Sequence, residues 1–332
     1  MHLQHRIHLM VELGKYMQSG HESWTAAKKK AFEENGWFTP EFIDLATSHI
    51  AGCWLEETRL REWLGCYSIP STNPDPKNIG LIMAGNIPLV GFHDFLSIFL
   101  SGHKQTAKPS SRDNSLIRHL AEDLVKRDPA VNDWIGFADM LKGCDAYIAT
   151  GSNNSARYFE YYFKKYPHLI RKNRTSVAVL DGTETIDELQ NLAGDIYTYF
   201  GLGCRNITKL YAPRQYDFLP LLENCRVFDY LADHHKYKNN YDYQLTLFII
   251  NKKFYMTNGS MLLSEEKSPF SPISVVHYEY YDRPEEISHE LAGNPDIQCV
   301  AGKGQVPFGQ AQKPRLEDYA DNVDTLEFLS AL

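Results

Sequence analysis

The chain has 332 residues, 43% hydrophobic and 23% charged, proportions of an ordinary folded protein that exclude a disordered or fibrous one. Two domains are expected at this length, and a net charge of -8 argues against a nucleic-acid-binding surface, which carries a basic stripe. No apolar run approaches the roughly 18 residues of a membrane helix, MHLQHRIHLMVELGK lacks an apolar signal core, and the six cysteines contain no CxxC pair, so a reducing cytoplasm is expected.

His2, His5 and His8 stand three apart and read as surface histidines without a carboxylate partner rather than a metal site. Residues 40–65 place apolar side chains at helical spacing between Pro40 and Gly65, which predicts one long helix. STNPDPKN breaks the chain, NIGLIMA reads as a buried strand feeding a loop at Gly85-Asn86-Ile87-Pro88, and GFHDFLSIFLSG reads as a helix. HKQTAKPS is strand-like, helices are expected from about Asp113 to Lys126 and over 132–142, and DAYIAT is a strand. The turn Thr150-Gly151-Ser152 then opens the helical SARYFEYYFKKY, where N–H groups at a helix start can meet phosphate.

TSVAVL reads as a strand and TETIDELQNLAGDIYTYFG as a helix, with Cys204 just beyond it and the strand NITKLYA following. QYDFLPLLENCRVF is helical, a tyrosine- and asparagine-rich loop carries His234 and His235, and LTLFIIN with KKFYMTNGS reads as a strand pair. SPISVVHYEYY, PEEISHELAG and IQCVAG are expected as strand, helix and strand, and residues 302–332 as a return segment or subunit contact. Strands alternating with helices imply parallel βαβ units.

Cys204 lies in Gly201-Leu202-Gly203-Cys204-Arg205-Asn206. Glycines permit a tight turn that leaves the thiol reachable, and Arg205 favours a thiolate, although a small core residue fits as well. Asn86 suits an oxyanion donor or an ordinary turn. Lys108-Pro109-Ser110-Ser111-Arg112 suits ribose or phosphate binding or a solvated turn. A basic cluster at Lys164, Lys165, His168, Arg171, Lys172 and Arg174 reads as a solvated edge, with an anionic cofactor as the alternative.

In this order, an Asn-x-Pro loop, a Lys-Pro-Ser strand end, a Thr-Gly-Ser turn and a cysteine resemble the aldehyde dehydrogenase superfamily over about 78–212. The wording AGNIPLVGFHDFLSIFLSGH, KPSSRDN, ATGSNNSARYF and YFGLGCRNITKLY is similar to the acyl-CoA reductase branch related to the fatty-acid reductase of bacterial luminescence. The resemblance implies an α/β fold with a Rossmann-like cofactor domain and a second α/β catalytic domain. Its expected divisions are 1–174 for the N-terminal helices and nicotinamide cofactor, 175–301 for catalysis, and 302–332 for return or oligomerisation. It assigns Cys204 and Asn86 to catalysis, and Lys108, Ser110, Ser111, Arg112, Gly151 and Ser152 to the cofactor.

Three departures sharpen the expectation. The superfamily's water-activating Glu-Leu-Gly-Gly glutamate falls in Leu169–Thr175, LIRKNRT, which has no carboxylate; an enzyme that passes acyl groups to thiols tolerates that loss, since water destroys the thioester. The glutamate that NAD-preferring members place three residues after the lysine is Ser111, followed by Arg112, which favours NADPH over NADH. A Glu-Ile-Phe-Gly-Pro motif becomes Ser268-Pro269-Phe270-Ser271-Pro272. The expected activity is NADPH-dependent reduction of fatty acyl-CoA to aldehyde, with CoA as leaving group, no nucleic-acid or metal requirement, a homo-oligomer, and an acyl-activating partner enzyme implied by the resemblance. Alternatives are a CoA-independent aldehyde dehydrogenase, a cofactor-independent cysteine acyltransferase or thioesterase using His93, His103 or His277, and an inactive acyl-binding subunit.

Overall fold

The computed structural model describes the backbone of residues 1–332 and all side chains but that of Ser288. The chain forms two compact units, Met1–Asn173 with Arg315–Leu332, and Arg174–Pro314. Residues 302–314 thus fold with the second unit, and 315–332 return to the first.

The first unit begins with helices α1 (Leu3–Gln18), α2 (Glu22–Glu34), α3 (Pro40–His49) and α4 (Glu57–Gly65). The single helix expected over 40–65 is interrupted: Ile50–Trp54 is a π-turn closed by Leu55 N–H on the Ile50 carbonyl, and Glu56 restarts the chain by capping Thr58 and Arg59. The π-turn inserts one residue into the helical repeat, and Trp54 is buried with its ring edge-on to His93. His2 caps α1, and His5 pairs with Asp128 at 2.8 Å, so one terminal histidine does have a carboxylate partner.

The parallel sheet of this unit comprises β1 (Asn78–Ile82), β2 (Lys104–Lys108), β3 (Ile135–Phe137), β4 (Ala146–Thr150) and β5 (His168–Arg171), linked by α5 (Phe92–Ser101), α6 (Ser115–Arg127) and α7 (Asn153–Phe163). Strand order is β3-β2-β1-β4-β5 with every pairing parallel, the doubly wound pattern. The helix expected at 132–142 is instead a 3-10 turn at Pro129–Asp133 followed by β3; Asp128 caps the turn and Pro129 fixes its first residue, and the chain then pairs with β2.

The second unit holds β6 (Thr175–Val179), α8 (Ile186–Tyr197), β7 (Ile207–Pro213), α9 (Leu219–Asn224), α10 (His235–Ile250), β8 (Met256–Thr257), β9 (Leu262–Glu265), β10 (Val275–Tyr281), α11 (Pro284–Leu291) and β11 (Ile297–Gly302). Its sheet runs β11-β6-β7-β10-β9-β8, parallel except for β8 against β9. His234, expected in a loop, is the N-cap of helix α10, which starts at His235 and takes in residues 245–250 of the expected strand LTLFIIN. Tyr237, Tyr241 and Phe248 are its buried residues, at helical spacing, and Lys238 pairs with Asp242 one turn on; the tertiary contact overrides the β-branched and aromatic local preference.

Helix α12 (Thr325–Ser330) completes the first unit. Arg171, at the end of β5, donates to both Asp94 oxygens at 2.7 and 3.2 Å, to Thr325 at 2.7 Å and to the Ala320 carbonyl. Arg171 of the expected basic edge is therefore inside the unit, while Lys172 pairs with Glu160 at the surface at 2.8 Å. Replacing Arg171 by leucine strands the buried Asp94 carboxylate, and chemical unfolding is expected to show a loss of about 3–5 kcal/mol.

Candidate active site

In the first unit the chain leaves β1, β2 and β4 at one edge of the sheet, and the strand order reverses between β1 and β4, where doubly wound folds form their ligand crevice. The loop after β1 carries Asn86, the one after β2 carries Lys108 to Arg112, and the one after β4 carries Gly151 and Ser152. All the expected residues of this unit thus share one edge. Ser152 caps α7 by accepting Ser155 N–H at 3.2 Å. A Cβ on Gly151 would lie 2.9 Å from Ser155 and 3.0 Å from the Phe159 ring, so only glycine lets the chain turn this close to the α7 N-terminus.

These features fit a dinucleotide. The side chains of Lys108, Ser111 and Arg112 are exposed at the edge, and the helix start offers N–H groups to phosphate. Ser111 replaces the glutamate of NAD-preferring members in sequence, but a carboxylate stands near the loop in three dimensions: Glu34 of α2 accepts the Ser115 hydroxyl, and the neighbouring Asn35 amide donates to the Arg112 carbonyl at 3.1 Å.

The Asn86 loop is pinned to the same segment. Met83 N–H donates to the Lys108 carbonyl at 3.1 Å, and a Cβ on Gly85 would lie 2.6 Å from that of Ser110. Asp113 accepts Leu89 N–H at 2.6 Å, and burial pushes its carboxyl up to about 7.

In the second unit Cys204 is half-buried in a turn entering β7. The approach is strained: Tyr199, Phe200 and Gly201 have φ of 55°, 56° and 74°, and left-handed backbone costs roughly 1–2 kcal/mol for each non-glycine residue. Asn206, fully buried, secures it. Its amide donates to the carbonyls of Asp195, Ile196 and Thr198 at 3.0, 3.3 and 2.7 Å, and its oxygen accepts Gly203 N–H at 2.7 Å.

Ser176 on β6 supports the turn from the other side. Its hydroxyl donates to the Cys204 carbonyl at 3.0 Å and accepts both the N–H and the thiol of Cys299 at 3.1 Å. The register shifts beside Ser176 on both neighbouring strands, and such irregularities re-aim side chains. Thr208 and Lys209, the next residues of β7, hold the carbonyls of Pro269 and Lys267, each at 2.6 Å, so the Ser268–Pro272 segment is tied close behind the cysteine turn. Asp195 accepts Gly309 and Ala311 N–H at 2.6 and 3.1 Å, and burial raises it to about 6. The roughly 520 Å³ cleft beside Val179, Asp181 and Lys303 lies at the opposite strand ends and is separate from the cysteine turn.

Asp113, Asn206, Ser176 and Asp195 were not singled out by the sequence, although Asp113 and Asn206 stand inside the quoted KPSSRDN and GCRN. The histidines considered as alternative bases are engaged structurally. His93 bonds the Leu316 carbonyl at 2.8 Å, His103 bonds the Leu329 carbonyl and Lys77 N–H at 3.0 and 3.1 Å, and His277 bonds the Ser268 carbonyl at 2.8 Å. Burial lowers the pKa of His103 and of His277. Among the described residues no group of side chains could hold a metal ion, and no helix is long and apolar enough to cross a membrane.

The fold, a doubly wound unit and a second unit with a largely parallel sheet, is similar to that of solved aldehyde dehydrogenases. An NADP-dependent enzyme from E. coli aligns with a TM-score of 0.68 at 11% identity, over 91% of this chain and 73% of that one. An aldehyde dehydrogenase from Bacillus cereus, solved with NAD+, gives 0.66 at 14% identity over 91% and 72%, and a putative aldehyde dehydrogenase from Burkholderia cenocepacia gives 0.65 at 12% over 89% and 73%. Residues 59–214 match the acyl-CoA reductase (LuxC) family. The match covers just under half of the chain and is a likeness to the acyl-CoA reductase family, while the solved structures show that the chain has the aldehyde dehydrogenase fold. No curated protein matches it by sequence.

Two outcomes follow for stability. Asn206→Ala leaves buried carbonyls unpaired and is expected to cost about 2–4 kcal/mol in chemical unfolding. Asp113 and Asp195 bind their protons more tightly folded than unfolded, so their contribution is present at acid pH and is lost as pH rises through about 6 and 7. The lowered histidines His103 and His277 act in the opposite sense below about pH 6.5, so the difference between variants is the readout: the unfolding free energy of wild type minus that of Asp113→Asn should fall by up to about 1.4 kcal/mol per pH unit between pH 5.5 and about 7 and level off above it.

Proposed function

We propose that the chain reduces acyl-CoA to aldehyde with NADPH through a thioester on Cys204. The observation that carries this reading is the cysteine turn, in which a half-exposed thiol follows a strained backbone and is clamped by a fully buried asparagine. Strain of this kind persists where the surroundings over-determine it, as at functional sites.

Cys204 attacks the thioester carbonyl and the CoA thiolate leaves, so one carbon–sulfur bond replaces another without net redox change. Asn86 and the Cys204 backbone N–H are the oxyanion donors that the family resemblance implies. The carboxyl edge of the first sheet holds the dinucleotide: Lys108, Ser110, Ser111 and Arg112 take its ribose and phosphate, and Gly151 with Ser152 presents the α7 N-terminus. A reduced nicotinamide, when bound, supplies the hydride that converts the acyl group to aldehyde. Departure of the Cys204 thiolate then frees the product and restores the enzyme.

The absence of a carboxylate from Leu169–Thr175 supports acyl transfer over hydrolysis. Arg112 supports NADPH; Glu34, close to the same loop, supports NADH as the second choice, because a carboxylate can hold ribose hydroxyls but repels a 2′-phosphate. Fatty acyl chains and an acyl-activating partner enzyme follow from the resemblance alone.

A series of acyl-CoA lengths assayed with NADPH and NADH tests the proposal. Expected are substituted-enzyme kinetics, aldehyde as product, and a loss of at least 1,000-fold in Cys204→Ala, about 4 kcal/mol of barrier. Near wild-type turnover by Cys204→Ala, or acid formation from aldehyde without CoA, would remove this mechanism.

A further inference from the structure

Asp113 belongs to none of the roles assigned above, yet it is the residue through which two functional loops meet. It is 5% exposed, and Oδ2 accepts Leu89 N–H at 2.6 Å while Oδ1 is buried without a partner among the described residues. Leu89 is 1% exposed and left-handed, with φ 55°, a conformation a leucine keeps only when its surroundings enforce it. Asn86 stands three residues before it, and Phe92 N–H, closing on the Leu89 carbonyl at 2.9 Å, starts α5 three residues after.

Asp113 also closes its own loop, its N–H donating to the Ser110 carbonyl at 3.1 Å. Ser110 in turn is the residue against which Gly85 packs. Loops 83–92 and 108–113 therefore share a backbone bond at Met83, a close contact at Gly85 and the carboxylate clamp at Leu89. Only the last reaches the far side of Asn86. Without it, Met83 and Gly85 still anchor the near side and Phe92 N–H still holds the Leu89 carbonyl, but the Leu89 N–H loses its acceptor and the unfavourable dihedral loses the bond that fixes it.

We propose that Asp113 is a positioning residue that locks Leu89 in its left-handed state, so setting the Asn86 amide and making its loop one rigid piece with the Lys108–Arg112 loop. The proposal rests on the reading of Asn86 as an oxyanion donor. The acceptor oxygen is the working group, so an asparagine at 113 can replace the aspartate, whereas an alanine cannot.

The test compares wild type, Asp113→Ala and Asp113→Asn by two measurements. One is single-turnover CoA release from octanoyl-CoA without dinucleotide; the other is amide hydrogen exchange over residues 86–92. In Asp113→Ala, CoA release should slow at least 30-fold with the half-saturating octanoyl-CoA concentration within threefold, and exchange over 86–92 should quicken at least 100-fold. Asp113→Asn should stay within threefold of wild type in release and tenfold in exchange. A merely structural loss would lower the amount of folded enzyme without this split, and asparagine would not rescue selectively.

Asp113→Ala with release and exchange both within threefold of wild type overturns the proposal, as does equal slowing in the two variants. Should Asp113→Ala fail to fold, wild type with NADP+ decides. Slower exchange at 108–113 together with 86–92 supports the rigid pair, and slowing at 108–113 alone overturns it. If wild type itself releases no CoA, the acyl-CoA reading fails, while exchange in the variants still decides the clamp.

Discussion

One buried amide governs the cysteine turn. The Asn206 side chain bonds four main-chain groups between Asp195 and Gly203, and that commitment lets three consecutive left-handed residues stand just before Cys204. Buried side-chain to backbone bonds of this sort are costly to leave unmade, so the turn has a single low-energy shape. Helix α8, started by the reciprocal Thr185–Glu188 capping box, delivers the chain to the clamp, and β7 carries it away into the sheet.

The first unit uses the same device with an acceptor in place of a donor. Asp113, a buried carboxylate, holds a left-handed leucine beside Asn86 much as Asn206 holds the approach to Cys204. Both loops expected to carry chemistry are shaped by a polar side chain bound to main-chain N–H or carbonyl groups and withdrawn from solvent. The sheet supplies the rest: parallel strands whose carboxyl ends gather Asn86, Lys108 to Arg112, Gly151 and Ser152 at one edge, around the reversal of strand order.

Much of this was legible from residue pattern. Strands β1, β4, β6, β7, β10 and β11 follow short runs rich in apolar residues, β2 is the strand-like KQTAK with alternating burial, and α5, α6 and α8 follow helical spacing. The misreadings have physical causes. Helix α10 carries LTLFII, a β-like run, and is helical because Tyr241 and Phe248 pack with Leu262 and Val275 while Tyr237 packs against Tyr197 and Phe200; β3 has only three residues, and its pairing with β2 is not a local property. The break at Ile50–Trp54 leaves the apolar spacing of residues 40–65 almost intact, so periodicity passes over it. In the sites, motif order pointed to Cys204 and Asn86, but Asn206, Asp113 and Ser176 are polar residues whose burial and partners exist only once the chain is folded. Arg171 reads as a surface cation and is instead the buried partner of Asp94.

The central claim is that Cys204, held by this turn, is the acyl carrier. Intact-mass analysis with peptide mapping, after brief incubation with octanoyl-CoA in the absence of dinucleotide, tests it most directly. One octanoyl group per chain on Cys204, matched by one equivalent of released CoA and absent from Cys204→Ser, is the predicted result; an unmodified Cys204, or acylation at Cys299 or another cysteine with Cys204 intact, would contradict it.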